Sequence, residues 1–517
     1  MTSKNTDYAL ALLSGVLLIL IFPLENIKEL AWISLVPLLF AVQGKKTYKG
    51  FLLGSLAGFV FNLGLVYWVT VSMTTYGKLP MILSVLVLIL FALYLSMFVS
   101  LPVCCSCYVE EKQGIEIAHT LPFFWIASEQ VRSWFLTGFP WENLGYSQFT
   151  VLPVIQIADI TGVYGVSFLL VMVNCVVFSL LVSLIYKRGI SFQKMAVAFM
   201  LLGISLGYGW VRLSLLKQGQ DTAIKVALIQ GNIPQDVKWD PAFLDETMKI
   251  YSQLTMETAP QKPNLIIWPE AATPFYFQSE KAYQGQVAKL LSKTEAHLLL
   301  GSPSWERTAD GMQYFNSAFL VSPDGQIQGR YDKIHLVPYG EYVPLKRFFP
   351  FIEKMVEGIG DFSPGRETAV LHFPGGAFGT LICYEIIFPD LVRRFAKNGA
   401  TFLVNITNDA WFGRTAAPYQ HLSMAVLRAV ENRRPVARVA NTGISALIDA
   451  DGSILQSTNL FTPAAITGII FKRTIKTFYT RYGDVFAFLC IGISVLFLMR
   501  PFFILLKTVK KEWSKTP

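Results

Sequence analysis

The chain has 517 residues, of which 53% are hydrophobic and only 15% charged; soluble globular proteins carry roughly a quarter charged, so a wholly water-soluble protein is excluded and a membrane protein is expected. The net charge of +9 does not argue for nucleic acid, because the basic residues are scattered through short loops and the C-terminal tail rather than gathered into one patch. The six cysteines do not form a disulfide framework, since Cys104, Cys105, Cys107, Cys175 and Cys490 lie in apolar runs and only Cys383 sits in a water-soluble stretch.

Apolar runs of about 20 residues, enough for a helix to cross a bilayer, fall at residues 8–24, 27–43, 48–73, 80–109, 115–135, 161–186, 191–216 and 484–506. They predict about eight transmembrane helices. Pro23 and Pro37 interrupt the first two runs, so a merged or re-entrant pair is the alternative there. If the N-terminus is cytoplasmic, Lys4, Lys45, Lys46, Lys49, Lys112, Lys187, Arg188, Lys194, Lys507, Lys510, Lys511 and Lys515 fall on one side, while the opposite short loops carry little beyond Lys28 and Lys78. By the positive-inside bias both termini are cytoplasmic and the long segment between the last two spans is outside.

That segment alternates β-rich runs with helical stretches. Strands are expected at residues 225–233, 265–268, 297–301, 317–321, 379–384 and 401–406, with hairpin turns at Pro323-Asp324-Gly325 and Asp449-Ala450-Asp451-Gly452. The expected domains are 1–220, transmembrane helices one to seven; 221–476, an extracytoplasmic α/β domain of two sheets with helices outside; and 477–517, the last transmembrane helix and a cytoplasmic tail.

Three segments of the α/β region place an ionisable residue directly after an apolar strand-like run or within a short one: Leu265-Ile266-Ile267-Trp268-Pro269-Glu270, Tyr331-Asp332-Lys333-Ile334-His335 and Gly379-Thr380-Leu381-Ile382-Cys383-Tyr384-Glu385. A cysteine attacks an acyl carbon as its thiolate, so it needs a base for its proton and a positive charge for the resulting anion. Glu270 and Lys333 are of the right types. Each residue also has an ordinary structural reading: a buried cysteine, a helix N-terminal carboxylate, a surface lysine. The spacing alone does not choose.

Taken in order, the motifs resemble the nitrilase superfamily, and the spans joined to them resemble its membrane-embedded branch, the apolipoprotein N-acyltransferases. The resemblance rests on Gln230-Gly231-Asn232-Ile233-Pro234-Gln235 with Lys238-Trp239, Trp268-Pro269-Glu270, the run from Tyr331 to Pro344, Cys383-Tyr384-Glu385, the run from Asn405 to Gly413, and the run from Arg438 to Ser445. In the membrane part, Gly138-Phe139-Pro140-Trp141 and Leu144-Gly145-Tyr146-Ser147-Gln148 are similar to an outer loop of that branch. The resemblance implies an α-β-β-α sandwich with a Glu-Lys-Cys triad, in which Glu270 is the base, Lys333 the stabilising cation and Cys383 the nucleophile. It further implies supporting or substrate-binding roles for Trp239, Glu341, Tyr384, Glu385 and Trp411. The implied activity moves an acyl chain from a phospholipid, through a cysteine thioester, to the N-terminal amine of a diacylated apolipoprotein at the outer face of a bacterial inner membrane.

From the residues themselves, Glu341 orients Lys333 or relays a proton, or is a turn carboxylate beside Gly340. Trp239 and Trp411 line a pocket or pack as core. His335 shares a strand face with Lys333. The aromatic segments Pro274-Phe275-Tyr276-Phe277 and Phe348-Phe349-Pro350-Phe351 are candidate exposed gating loops. None of the five histidines stands at a metal-ligand spacing, so no metal and no cofactor are expected. Two rivals remain open: a tethered hydrolase in which water resolves the thioester, and a transporter or receptor in which Cys383 is incidental. The latter is disfavoured because the spans hold few charges, Glu129 and Asp159 being the notable ones.

Overall fold

The computed structural model describes residues 4–187, 192–217, 222–309, 311–342 and 361–513. The Phe348-Phe349-Pro350-Phe351 segment, Arg188, Lys515 and the Val343-Pro344 end of one motif lie outside the described residues. The chain divides into two compact units. One comprises Met1–Tyr67, Val85–Val211 and Asp484–Pro517, the other Trp68–Ser84 and Arg212–Gly483.

Four described helices, rather than eight, are both long and apolar enough to cross a membrane: Thr47–Leu65, Met81–Gln113, Val163–Ile185 and Phe199–Leu216. Lys4–Leu20 and Ile117–Arg132 are helical as expected but have 17 and 16 residues. The expected second span is not one helix. Its residues form a 3-10 turn, Lys28–Trp32, and the seven-residue helix Val36–Val42, which has Pro37 in its first turn and is about 10 Å long at 1.5 Å per residue. The backbone groups freed by this break are met from inside the unit: Asn174 accepts from Leu35 N at 2.8 Å and donates to Ala31 O at 2.8 Å. Glu129 is buried here, accepting from Trp125 Nε1 at 3.0 Å and Leu144 N at 2.9 Å.

The third expected span also ends early. Its helix stops at Leu65, and the apolar residues that follow pack within the other unit instead of continuing the helix. Trp68 meets Phe412 edge-on at 4.7 Å and Tyr76 meets Trp411 edge-on at 5.0 Å. Trp68 Nε1 donates to Gln420 Oε1 at 3.1 Å, Ser72 Oγ to Trp411 O at 2.8 Å and Tyr76 OH to Ala410 O at 3.0 Å.

The second unit is built on two six-stranded sheets. The strands are β1 (Ala223–Gln230), β2 (Leu265–Ile267), β3 (His297–Thr308), β4 (Gly311–Val321), β5 (Ile327–Asp332), β6 (Val370–Phe373), β7 (Gly376–Ile382), β8 (Phe402–Thr407), β9 (Val436–Ala440), β10 (Ala446–Ile448), β11 (Ile454–Ser457) and β12 (Ala464–Phe471). The orders are β12-β1-β2-β3-β4-β5 and β11-β10-β9-β8-β7-β6. Each sheet has three adjacent parallel strands, β1-β2-β3 and β7-β8-β9, with antiparallel strands on either side. The two halves thus share a topology. Strand β1 packs near β9 and β4 near β7, while the helices Leu244–Thr258 and Pro389–Lys397 cover β1 and β7 from the other faces. This is an α-β-β-α sandwich. Strands β2, β8 and β9 are buried throughout and mostly apolar, polar only at Asn405, Thr407 and Arg438, as parallel strands covered on both faces require.

Candidate active site

The C-terminal ends of the parallel strands are where an α/β fold presents functional groups, and Glu270 and Cys383 both lie there. Strand β2 stops at Ile267 because Pro269 has no N–H to extend the ladder. Trp268 anchors the turn: its ring stacks on Tyr251 at 4.9 Å and its Nε1 donates to Thr255 Oγ1 at 3.0 Å. Gly301 permits the close approach of β3, since a Cβ there would lie 2.5–2.7 Å from backbone atoms of Pro269, Glu270 and Ala271.

Glu270 is 7% exposed. Its Oε1 accepts from Asn316 Nδ2 at 2.8 Å and its Oε2 from Asn408 N at 2.9 Å. Lys333, one residue beyond β5, is 1% exposed; its Nζ lies 3.0 Å from the Glu341 carboxylate and 3.7 Å from Glu270 Oε1. Burial works against the Lys333 charge, but Glu341 and Glu270 outweigh it and hold its pKa above the ordinary lysine value. Asn316 bridges the two carboxylates, donating to Glu341 Oε1 at 2.8 Å as well as to Glu270.

Cys383 opens a 3-10 turn directly after β7 and has φ +53°. A non-glycine residue in that region is held there by its surroundings. The expectation that the strand runs on to Tyr384 is corrected: β7 ends at Ile382, and the left-handed residue turns the chain. Burial pushes the thiol up to about 12, with Glu270 adding to the shift and Lys333 opposing it. At neutral pH the resting side chain is therefore a thiol, and a base must take its proton during attack.

Glu385, fully buried, staples this turn to the Lys333 loop. Its Oε2 accepts from Ile382 N at 2.7 Å; its Oε1 accepts from Tyr331 OH at 2.8 Å, Ile334 N at 2.7 Å and His335 N at 3.1 Å. Burial raises its pKa to about 7 in spite of these donors. His335 is not in a strand, because β5 ends at Asp332. Its ring packs 3.7 Å from that of Phe388 and 5.8 Å from that of Tyr384, and burial with Lys333 pulls its pKa down to about 4. Tyr384 thus joins an aromatic wall beside the nucleophile.

Residues 14–176 match the family described as apolipoprotein N-acyltransferase N-terminal domain, and residues 225–476 match carbon-nitrogen hydrolase. The apolipoprotein N-acyltransferase of Geobacter metallireducens is 46% identical over 94% of this chain and 93% of the relative. The chain belongs to the apolipoprotein N-acyltransferase family. Family members from Chlorobaculum tepidum and Haemophilus influenzae are each 33% identical, covering 95% and 96% of this chain and 95% and 94% of those relatives. As a member of that family the protein is an acyltransferase, a membrane protein with a nitrilase-type α/β sandwich.

In this chain Glu270, the pair Lys333 and Glu341, and the pair Cys383 and Glu385 come together from three loops. The two tryptophans do not join them: Trp239 is 37% exposed, Trp411 packs on Tyr76, and among the described residues neither hydrogen-bonds a member of the cluster. The Pro274-Phe275-Tyr276-Phe277 segment is not the exposed loop expected. Phe277 is fully buried in the core and Phe275 stacks on Tyr283 at 4.3 Å. Two polar residues received no role from the sequence. Asn316 stands in the middle of an apolar strand, which was the available signal. Lys238 lies in a quoted motif; 2% exposed, it donates to Glu270 O at 3.0 Å, and burial pulls its pKa down to about 8 against the charges of Glu270 and Cys383.

Proposed function

We propose that this protein transfers a fatty acyl chain, the sn-1 chain of a phosphatidylethanolamine-like phospholipid, to the N-terminal α-amine of S-diacylglyceryl-cysteine apolipoproteins, completing lipoprotein maturation. The observation that carries the reading is the buried meeting of Glu270, Lys333 and Cys383. In the first half, Glu270 takes the thiol proton as sulfur attacks the ester carbon, and Lys333 faces the developing oxyanion. The intermediate then expels the lysophospholipid alkoxide, which receives the proton from Glu270, leaving a Cys383 thioester. In the second half, the acceptor amine attacks that thioester and gives a proton to Glu270; the leaving thiolate recovers it. Glu341 and Glu385 hold Lys333 and the nucleophile turn, and Tyr384, Trp239 and Trp411 shape the substrate's surroundings.

Both substrates carry lipid tails, and lifting such a chain into water costs about 0.8 kcal/mol per CH₂, which favours a catalytic unit held at the bilayer. On this reading the chain resides in a bacterial inner membrane with the expected domains at 1–220, 221–476 and 477–517. About eight crossings, the broken segment at residues 27–43 counted as one of them, leave both termini cytoplasmic and the catalytic domain periplasmic. The lysine bias of the short loops supports that orientation.

The test uses phospholipid labelled in its sn-1 chain together with a diacylglyceryl-cysteine peptide. Label in N-acylated peptide, lost in Cys383→Ala, is the expected result. Label released as free fatty acid with the peptide unchanged would make the protein a hydrolase.

A further inference from the structure

Asp409, His421, Arg438 and Asn405 are each at most 1% exposed and form one hydrogen-bonded cluster which the chemistry above leaves unused. Arg438 donates through NH2 to Asp409 Oδ2 at 2.7 Å and through NH1 to Asn405 Oδ1. Thr407 Oγ1 donates to Asp409 Oδ1 at 3.0 Å. From this cluster two groups reach the main-chain carbonyl of Cys383: His421 Nε2 at 3.2 Å and Asn405 Nδ2 at 3.4 Å.

The proton positions on His421 follow from its partners. A carbonyl oxygen only accepts, so Nε2 must carry a proton. Nδ1 stands 3.1 Å from Arg438 NH2, a donor, and 3.0 Å from Asp409 Oδ1, an acceptor. Full burial and then Arg438 disfavour an imidazolium, and together they outweigh Asp409 and lower the pKa of His421. The imidazole is then neutral, with Nδ1 accepting from Arg438 and Nε2–H donating to Cys383.

We propose that His421, set in its Nε2–H tautomer by Arg438 donating to Nδ1 and by the Cys383 carbonyl at Nε2, is a positioning residue that clamps that carbonyl and so holds the nucleophile in its left-handed conformation. The peptide bond from Cys383 to Tyr384 is trans, so its N–H runs antiparallel to the clamped carbonyl. Fixing one fixes the other. In α/β-hydrolases the backbone N–H after the nucleophile donates to the oxyanion, and here the aim of the corresponding N–H is set by a histidine bonded to the Cys383 main chain. This inference rests on Cys383 being the nucleophile.

The experiment is single-turnover acylation by phosphatidylethanolamine, followed by intact mass, in wild type, His421→Gln and His421→Leu, with melting curves to establish folding. A carboxamide N–H stands in for Nε2–H; a leucine has none. The expected result is an acylation rate about 100-fold lower in His421→Leu, the size of a lost oxyanion donor, with half-saturation by lipid unchanged within about twofold and His421→Gln restoring most of the rate. Wild-type rates in folded His421→Leu, or equal losses in both variants, would overturn the clamp. If His421→Leu does not fold, ¹⁵N-histidine spectra of the wild type decide: an Nε2–H pattern absent from His421→Gln is expected, and an Nδ1–H pattern overturns the tautomer. Wild type forming no adduct would remove the nucleophile reading itself, and the clamp with it.

Discussion

Replacing Glu341 by glutamine tests whether this carboxylate is part of the site or a turn residue. Glu341 is the nearest anion to Lys333, at 3.0 Å against 3.7 Å for Glu270, and it accepts from Asn316 Nδ2 and Val337 N at 2.8 Å each. Glutamine keeps one acceptor oxygen and turns an NH₂ toward one of those donors, stranding it at a cost of about 1–3 kcal/mol. It also leaves a buried ammonium with only the more distant carboxylate. Full loss of a buried partner costs about 3–5 kcal/mol; with Glu270 remaining, a combined loss of about 2–5 kcal/mol is expected. At roughly 2–4 °C per kcal/mol for a domain of this size, the apparent melting temperature falls by about 5–15 °C. Lys333 then pairs more closely with Glu270, weakening the base, so acylation slows. The assay is a double-mutant cycle with Lys333→Met, read by melting and by acylation rate. Coupling of about 1–3 kcal/mol is expected, since the double variant strands no ammonium. Additivity within about 0.5 kcal/mol would refute the argument that Glu341 acts through Lys333.

Iodoacetamide reacts with thiolate, and the Cys383 thiol is pushed up to about 12. Its alkylation in the resting enzyme should therefore rise about tenfold per pH unit between about pH 7 and 10; a plateau below about pH 8 would mean a preformed thiolate and a different mechanism. Lys238 has its pKa drawn down to about 8 by burial, so its charge is present below that value and lost above it. If that charge is needed beside Glu270 and Cys383, acylation declines above about pH 8, and Lys238→Arg moves the decline to higher pH because guanidinium stays protonated. An unchanged limb in Lys238→Arg would remove Lys238 from the chemistry.

Much of the catalytic unit was legible because its signals are local. The hairpin turns at Pro323-Asp324-Gly325 and Asp449-Ala450-Asp451-Gly452 do connect β4 to β5 and β10 to β11, and apolar runs followed by an ionisable residue marked β2 and β7. What was not legible depends on contacts distant in sequence. Hydrophobicity cannot tell Trp68 and Tyr76 facing lipid from the same rings packed on Phe412 and Trp411, so the expected third span overruns the helix that ends at Leu65. The aromatic neighbours of Phe277 suggest a gate, yet its ring is core. The Lys333–Glu341 pair is formed by a loop eight residues long, whereas Glu270 meets Asn408 across 138 residues, which no local pattern encodes. The shared topology of the two sheets likewise has no counterpart as a sequence repeat.

The central claim is that Cys383 carries the acyl chain between two substrates. Its most direct test is the intact mass of purified protein after incubation with phosphatidylethanolamine, in wild type and Cys383→Ala, followed by addition of a diacylglyceryl-cysteine peptide. The predicted result is one fatty-acyl adduct on wild type alone, disappearing as the peptide gains one acyl chain. Acyl transfer to the peptide by Cys383→Ala at the wild-type rate would contradict the account.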